Sequence, residues 1–368
     1  MPYDHTRYTH TLQVMGIGLA VLKQNGADAD EHLMRLYTVG SVLHDIATPA
    51  FGDAIKPIDR PALDEETHWH TMVGPEGWEY IEGLGLTKEE IDDFIHNKGV
   101  AGQLLDFADR IAYVTQDAYQ MVGTPEVDKK ESERSSIEKC VVAAPDIGNI
   151  YKNIRIKDGQ VYCDSPDNLT KFLRLRGQLF YNGYFYPPNN SRDVILRELV
   201  APLYPSVLNA DDLRNLNDHT LLQMIDDVYK PRQSWPILFF NLGHWIPAFK
   251  EVNNAQESEA CVKGLQARGM YVVGATEPYG FSLGTKVLVE YEGQIQPASR
   301  AFPDLYAELR ALSDKRKSKI QVFYIDPKNP DASVQHLLGL IQAAHTYEKK
   351  MNAGSTDPSG SKGRVYTG

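Results

Sequence analysis

Three helical runs in the first third of the chain each carry part of a set of imidazoles and carboxylates, and this arrangement restricts the fold more than any other feature. Residues 8–25 place Leu12, Met15, Ile17 and Leu19 to Val21 at helical spacing and stop at Gly26. Glu31 to Leu43 forms a second run, with Leu33, Leu36, Tyr37, Val39 and Leu43 on one side. Gln103 to Val122 forms a third, with Leu104, Leu105, Ala108, Ile111 and Ala112 in register. His10 lies on the first run, the pair His44-Asp45 closes the second, and Asp109 sits on the third. Ligands on three helices of a bundle can converge on one ion from different sides. Imidazole and carboxylate together suit a divalent transition metal or magnesium, and the donor set alone leaves Fe, Mn, Zn, Ni and Mg open. A lone His-Asp dipeptide is commonplace and a helical Asp is usually solvated. The weight lies in their combination, in this order, on predicted helices.

The rest of the first 250 residues also reads as mainly helical. ATPAFGDAIKP (47–57) has Pro49, Gly52 and Pro57 and is expected to be loop. Thr71 to Leu84 is expected to be helical in part. Thr87-Lys88-Glu89-Glu90 is a capping-box pattern that opens a helix through about His96. Residues 154–162 read as a β-hairpin turning at Asp158-Gly159. Leu169 to Tyr186, Arg192 to Leu203 and Asp211 to Tyr229 read as helices, followed by a stretch broken by Pro231, Pro236 and Pro247. Beyond it the character changes. Strand-like runs at 270–273, 287–291 and 320–325 alternate with helical runs at 302–312 and 334–347. The expectation is a mostly α-helical domain over residues 1–250, a smaller α+β lobe over 251–348, and a disordered tail over 349–368.

A net charge of -11 argues against strong nucleic-acid binding, which needs a basic face. It does not exclude an anionic small substrate held by a metal or a local basic pocket. The three cysteines, Cys140, Cys163 and Cys261, are far apart and suggest neither a disulfide framework nor a thiolate metal site. With no signal-peptide pattern and no long apolar stretch, a cytoplasmic protein without a membrane span is expected.

The motifs have a family likeness. The order H…HD…D resembles the HD-domain phosphohydrolases, and more closely the deoxynucleoside triphosphate (dNTP) triphosphohydrolases. These include the bacterial dGTP triphosphohydrolases and the animal enzyme that joins a sterile alpha motif to an HD domain. Arg7-Tyr8-Thr9-His10-Thr11-Leu12-Gln13-Val14 resembles their R-x-x-H-S-L-x-V segment. Leu43-His44-Asp45-Ile46 with Pro49 and Phe51-Gly52 resembles their HDIGHPPFGH loop. Asp109-Arg110-Ile111-Ala112-Tyr113 with Asp117 resembles their D-K/D-x-x-Y-x-x-x-D helix, and Arg176 with Tyr184 resembles an Arg-x7-Tyr element. The likeness is clear over residues 5–200 and loose in the tail.

It implies a helical HD-domain fold with a small C-terminal lobe, assembly as a homo-oligomer, and a divalent ion held by His10, His44, Asp45 and Asp109. It implies that Arg7, Thr48 and Arg110 contact phosphate, that Tyr113 faces phosphate or sugar, and that Asp117 bonds the 3′-hydroxyl. Arg176 would take the terminal phosphate, and Tyr184 would pack against the deoxyribose. The implied reaction is hydrolysis of a dNTP to deoxynucleoside and inorganic triphosphate.

Two positions depart from the pattern. Thr48 and Asp53 stand where the family loop has histidines that serve the α-phosphate and proton transfer. Either Asp53 or His70, which matches a further family histidine with His68 as its rival, is then expected to protonate the leaving oxygen, and His70 is the better acid. Six residues precede Arg7, so the family's N-terminal base-selecting and effector-binding elements are expected to be mostly missing from this segment. Two alternatives stay open: an HD hydrolase of another nucleotide phosphate ester, such as a monophosphate or a signalling nucleotide, and a nucleotide-binding regulator with little turnover.

Overall fold

The computed structural model describes residues 7–123, 129–144, 146–229, 247–277, 280–284, 286–329 and 331–354. The stretch holding Pro231 and Pro236, and the tail from 355 onward, lie outside them. Through residue 229 the helices are α1 (Arg7–Gln24), α2 (Glu31–Leu43), α3 (Glu65–His68), α4 (Pro75–Gly83), α5 (Lys88–Ile95), α6 (Gly99–Val122), α7 (Ser136–Ala143), α8 (Pro166–Gln178), α9 (Pro187–Val200), α10 (Ala210–Asn215) and α11 (Asp218–Tyr229). α12 (Ala255–Ala267), α13 (Ala298–Ala301), α14 (Pro303–Lys317) and α15 (Ala332–Gly354) follow. The strands are β1 (Ile154–Lys157), β2 (Gln160–Cys163), β3 (Ala248–Val252), β4 (Tyr271–Ala275), β5 (Leu288–Tyr291), β6 (Gln294–Pro297) and β7 (Ile320–Ile325). The molecule is mostly helical, as expected, with its sheets mainly in the C-terminal half. No described helix is long and apolar enough to cross a membrane.

Local chemistry accounts for many of the boundaries. At the start of α5 the Thr87 side chain accepts from the Glu90 amide while Glu90 accepts from the Thr87 amide, which forms the reciprocal cap. In the β1–β2 hairpin, Lys157 pairs with Gln160, and the two turn residues Asp158 and Gly159 both have positive φ, 50° and 74°. A two-residue turn of this kind matches the twist of the strands it joins. The run read as one helix over 211–229 is two, because Asn217 accepts a hydrogen bond from the Thr220 amide (2.9 Å) and caps a new start. Two strands, β3 and β6, and helices α3, α7, α12 and α13 are additional to the elements expected.

The sheets tie the two halves of the chain together. One is ordered β1-β2-β5-β6, so strands from beyond residue 250 extend the early hairpin, with β5 parallel to β2. The other is β3-β7-β4, with β7 central and nearly all of its residues buried. β4 lies on α9, and α15 packs on α9 as well. α14 packs on α8, where a Cβ at Gly177 would stand 2.5 Å from the Leu309 side chain. Strands and helices from the 251–348 stretch thus pack directly on α8 and α9.

Candidate metal centre and phosphate cleft

His10 reaches the interior because α1 buries a single stripe. His10, Val14, Gly18 and Val21 are all buried, at spacings that keep them on one face. Gly18 lets α2 approach closely, since a Cβ there would lie 1.9 Å from the Tyr37 ring. Gly40 does the same for Phe94 of α5, at 2.4 Å. Tyr37 donates to the Val14 carbonyl at 3.3 Å and meets Phe94 edge-to-face with ring centroids 5.5 Å apart. These contacts set the separation of α1 from α2, and with it the separation of His10 from His44.

α2 ends at His44, whose amide still donates to the Gly40 carbonyl. The ligand atoms of His10, His44 and Asp45 all lie within 4.8 Å of one another, forming a group that could hold a metal ion. Asp45 Oδ2 is 3.7 Å from His10 Nε2 and 3.4 Å from His44 Nε2. Asp109 joins through His10, with Oδ1 3.0 Å from Nε2. Burial works against a charge on His10. The Asp109 hydrogen bond and the charges of Asp109, Asp45 and Asp117 outweigh it and hold the His10 pKa above its ordinary value.

The orientation of His44 tests the fit to a metal. Its Nδ1 lies 2.7 Å from the Ser41 carbonyl, which can only accept, so Nδ1 carries the proton. In the neutral ring Nε2 then presents a lone pair. That nitrogen is buried and has no hydrogen-bond partner. A lone pair facing a carboxylate in a buried site is unfavourable unless a cation lies between them, and a backbone carbonyl behind the opposite nitrogen is the usual support of a metal-bound histidine. Two imidazoles and one or two carboxylates suit a divalent ion.

A second cluster follows along α6. Asp109, Tyr113 and Asp117 are four residues apart and share a face. Arg176 of α8 is buried. Its Nε donates to the Tyr113 hydroxyl at 2.7 Å, its Nη1 donates to the Ser282 carbonyl, and its guanidinium lies 4.8 Å from the Phe180 ring centroid. Burial pushes the Tyr113 hydroxyl pKa up, although Arg176 draws it down. α8 runs into a π-helical turn, Leu179–Tyr184. Such turns often sit at functional sites because they re-aim side chains. Here the turn brings the Tyr184 hydroxyl to donate to Asp117 Oδ2. Arg110 Nη2 donates to Asp106 at 2.5 Å, while its Nη1 is buried without a hydrogen-bond partner.

Other candidates from the sequence have different neighbours. The Arg7 guanidinium donates to the carbonyls of Thr48 and Pro49, which straps α1 to the loop after Asp45. Thr48 Oγ1 is buried without a hydrogen-bond partner. The Asp53 side chain is 93% exposed and pairs with Lys56 at 2.7 Å. His70 stands edge-on to Trp69, with centroids 6.0 Å apart. Burial, then the nearby Lys88 and His68, lower its pKa. One contributor was not foreseen, the segment 280–284. Ser282 takes the Arg176 hydrogen bond, Phe281 stacks on Phe180 at 5.3 Å, and the Gly284 carbonyl accepts from Tyr306 at 2.9 Å. It carries no motif, so nothing in the local sequence marks it.

No family model matches the chain. A deoxyguanosinetriphosphate triphosphohydrolase-like protein of Clostridium tetani (strain Massachusetts / E88) is 30% identical over 135 residues, covering 31% of this chain and 36% of that protein. The matched stretch thus spans little more than a third of that relative's length. A solved phosphohydrolase structure from Bacteroides thetaiotaomicron VPI-5482 aligns with a TM-score of 0.60 over 87% of this chain and 88% of that one, at 12% identity. The chain has a phosphohydrolase-like fold, and its sequence resembles the HD-domain triphosphohydrolases in the motifs quoted above.

Proposed function

We propose that the chain is a metal-dependent phosphohydrolase that converts dNTPs to deoxynucleoside and inorganic triphosphate. The observation that carries this reading is the buried, unpartnered His44 Nε2 facing Asp45 and His10. His10, His44, Asp45 and Asp109 are the proposed ligands. A divalent ion held there lowers the pKa of water and polarises a phosphoryl oxygen.

The chain's own side chains do the rest. Arg110 offers its unpartnered Nη1 to a phosphate oxygen. Arg176 presents a guanidinium already oriented by Tyr113 and Phe180, so little side-chain entropy is lost on binding phosphate. Thr48 Oγ1 supplies a neutral donor. Asp117 accepts from the sugar 3′-hydroxyl, and Tyr184, held against Asp117, fills the space a 2′-hydroxyl would need. Arg7 acts through the loop it straps. Asp53, in solvent beside Lys56, is not the source of the proton for the leaving oxygen, which leaves His70 as the candidate.

The sequence likeness to a triphosphohydrolase-like protein supports the substrate class. The position of Asp53 favours a second reading, a hydrolase of another nucleotide phosphate ester. A panel of the four dNTPs, ribonucleotides and deoxynucleoside monophosphates, assayed with added divalent metal and with products resolved by chromatography, decides between them. Inorganic triphosphate as product supports the first reading. Orthophosphate from monophosphates, with dNTPs untouched, establishes the second.

A further inference from the structure

Between α1 and α6, further along both helices from His10 and Asp109, lies a cavity of about 570 Å³ lined by residues the proposed chemistry does not use. Its walls come from the next turns of α1 and α6 and from residues 148–151. Gln13 is one turn beyond His10. Gln116 is one turn beyond Tyr113 and adjacent to Asp117. Gln120 follows a turn later. Seven residues separate His10 from Ile17, and likewise Asp109 from Gln116, so this wall lies about 10 Å along the helices from the metal ligands. That is the order of the span from the α-phosphorus of a nucleotide to the middle of its base.

The chemistry of the lining is selective. Among the described residues no acid, lysine, arginine or histidine lines the cavity, so it offers no charge to pair with phosphate or a cation. It offers three primary amides, each with donors and an acceptor, and two tyrosine rings, Tyr119 and Tyr151. Gln13, Gln116 and Gln120 are half-buried, and Gln116 Oε1 is buried without a hydrogen-bond partner. Thr115 spends its hydroxyl on the Ile111 carbonyl at 2.6 Å and adds only apolar surface. A neutral, planar ligand with donors and acceptors along its edge matches such walls: rings stack on aromatic faces, and amides pair with the edges of bases.

We infer that this cavity receives the base of the nucleotide whose phosphates lie at the metal group, and that Gln13, Gln116 and Gln120 set the preference among bases. The inference rests on the nucleotide reading above and adds to it the source of base discrimination.

The test uses the full chain with divalent metal and two single variants, Gln116→Leu and Gln13→Leu, one on each helix. kcat/KM is measured for dATP, dGTP, dCTP and dTTP, alongside the inhibition constant of inorganic triphosphate. Each variant is expected to shrink the ratio between the best and worst dNTP by about 3- to 10-fold, the size of one neutral hydrogen bond. Inhibition by inorganic triphosphate, which has no base, should stay within about twofold, and this also reports an intact fold. Equal losses for all four dNTPs, or an unchanged ratio in both variants, overturn the base site while leaving the hydrolase standing. So does a wild-type protein that treats the four bases alike. A wild-type protein that neither hydrolyses any dNTP nor is affected by inorganic triphosphate takes both readings down together.

Discussion

The two clusters of the candidate site hold charge in opposite ways. At the His44 end, acceptors outnumber donors: two carboxylates and a histidine lone pair face one another, and His44 Nε2 has no hydrogen-bond partner. At the Arg176 end, an anchored guanidinium is spread over a tyrosine hydroxyl, a backbone carbonyl and an aromatic face. The first end is a group that could hold a metal ion. The second is already integrated into the packing of α6, α8 and segment 280–284. Substitution at the first end should therefore remove function and spare the fold, whereas substitution at the second should damage both.

The sharpest break in that contrast comes from replacing His44 and Asp45 together with alanine. Two ligands go, and the buried repulsion goes with them. Hydrolysis should fall to background while the thermal midpoint in chelator stays equal to or above that of the parent. A variant that keeps its turnover removes the metal end from the account, and a midpoint that collapses makes this end structural too.

Arg176→Ala should show the converse. It leaves Tyr113 and Ser282 without their charged donor, for a stability loss of about 1.5–3 kcal/mol. Triphosphate binding should weaken much more than monophosphate binding, as calorimetry with inorganic triphosphate and a deoxynucleoside monophosphate would show. Equal effects on both ligands, with a lowered midpoint, would leave Arg176 with a packing role alone.

Gly18→Ala probes how the ends are joined. The new Cβ must push Tyr37 aside, with a cost of about 1–3 kcal/mol from overpacking. Because Tyr37 spaces α1 from α2, metal affinity should fall along with stability. If stability falls and metal affinity does not, the helix spacing is not what brings His10 to His44.

A smaller effect should appear with pH. In metal-free protein the His10 pKa is raised in the fold from its ordinary value of 6.5, so its stabilisation is complete below about that pH and is lost as pH rises through the higher folded value. Metal affinity should rise over the same interval, because binding an ion must displace the proton. Melting in chelator and in added metal across pH 5–9 should give opposite slopes. Smallest of all, Asp53→Asn removes an exposed ion pair and should change stability by less than about 1 kcal/mol, with turnover within about twofold. A large loss of turnover would return Asp53 to the site.

Much of the helical half was legible in the sequence because its signals are local. The stripe of α1, the Thr87–Glu90 cap and the Asp158-Gly159 turn each depend on residues a few positions apart. The pairing of His10 with Asp109 was also legible, through the order of motifs. What escaped depends on distant partners. β6 is a four-residue strand, Gln294–Pro297, with only two half-buried side chains, too short for a burial period to register. Its turn, Glu292-Gly293, has positive φ at both residues, like the hairpin that was read, and was the one available clue. Segment 280–284 is placed by α8 and α14 rather than by its own composition. The partners of Arg7 and Asp53 follow from loop geometry that no spacing rule encodes.

Titrating a divalent ion into chelated protein, with bound metal and dNTP hydrolysis measured on the same samples, tests the central claim most directly. The account predicts one ion per chain at saturation, turnover that rises in proportion to occupancy, and neither in the His44→Ala, Asp45→Ala variant. Turnover in the absence of bound ion, or full occupancy and activity in that variant, would contradict it.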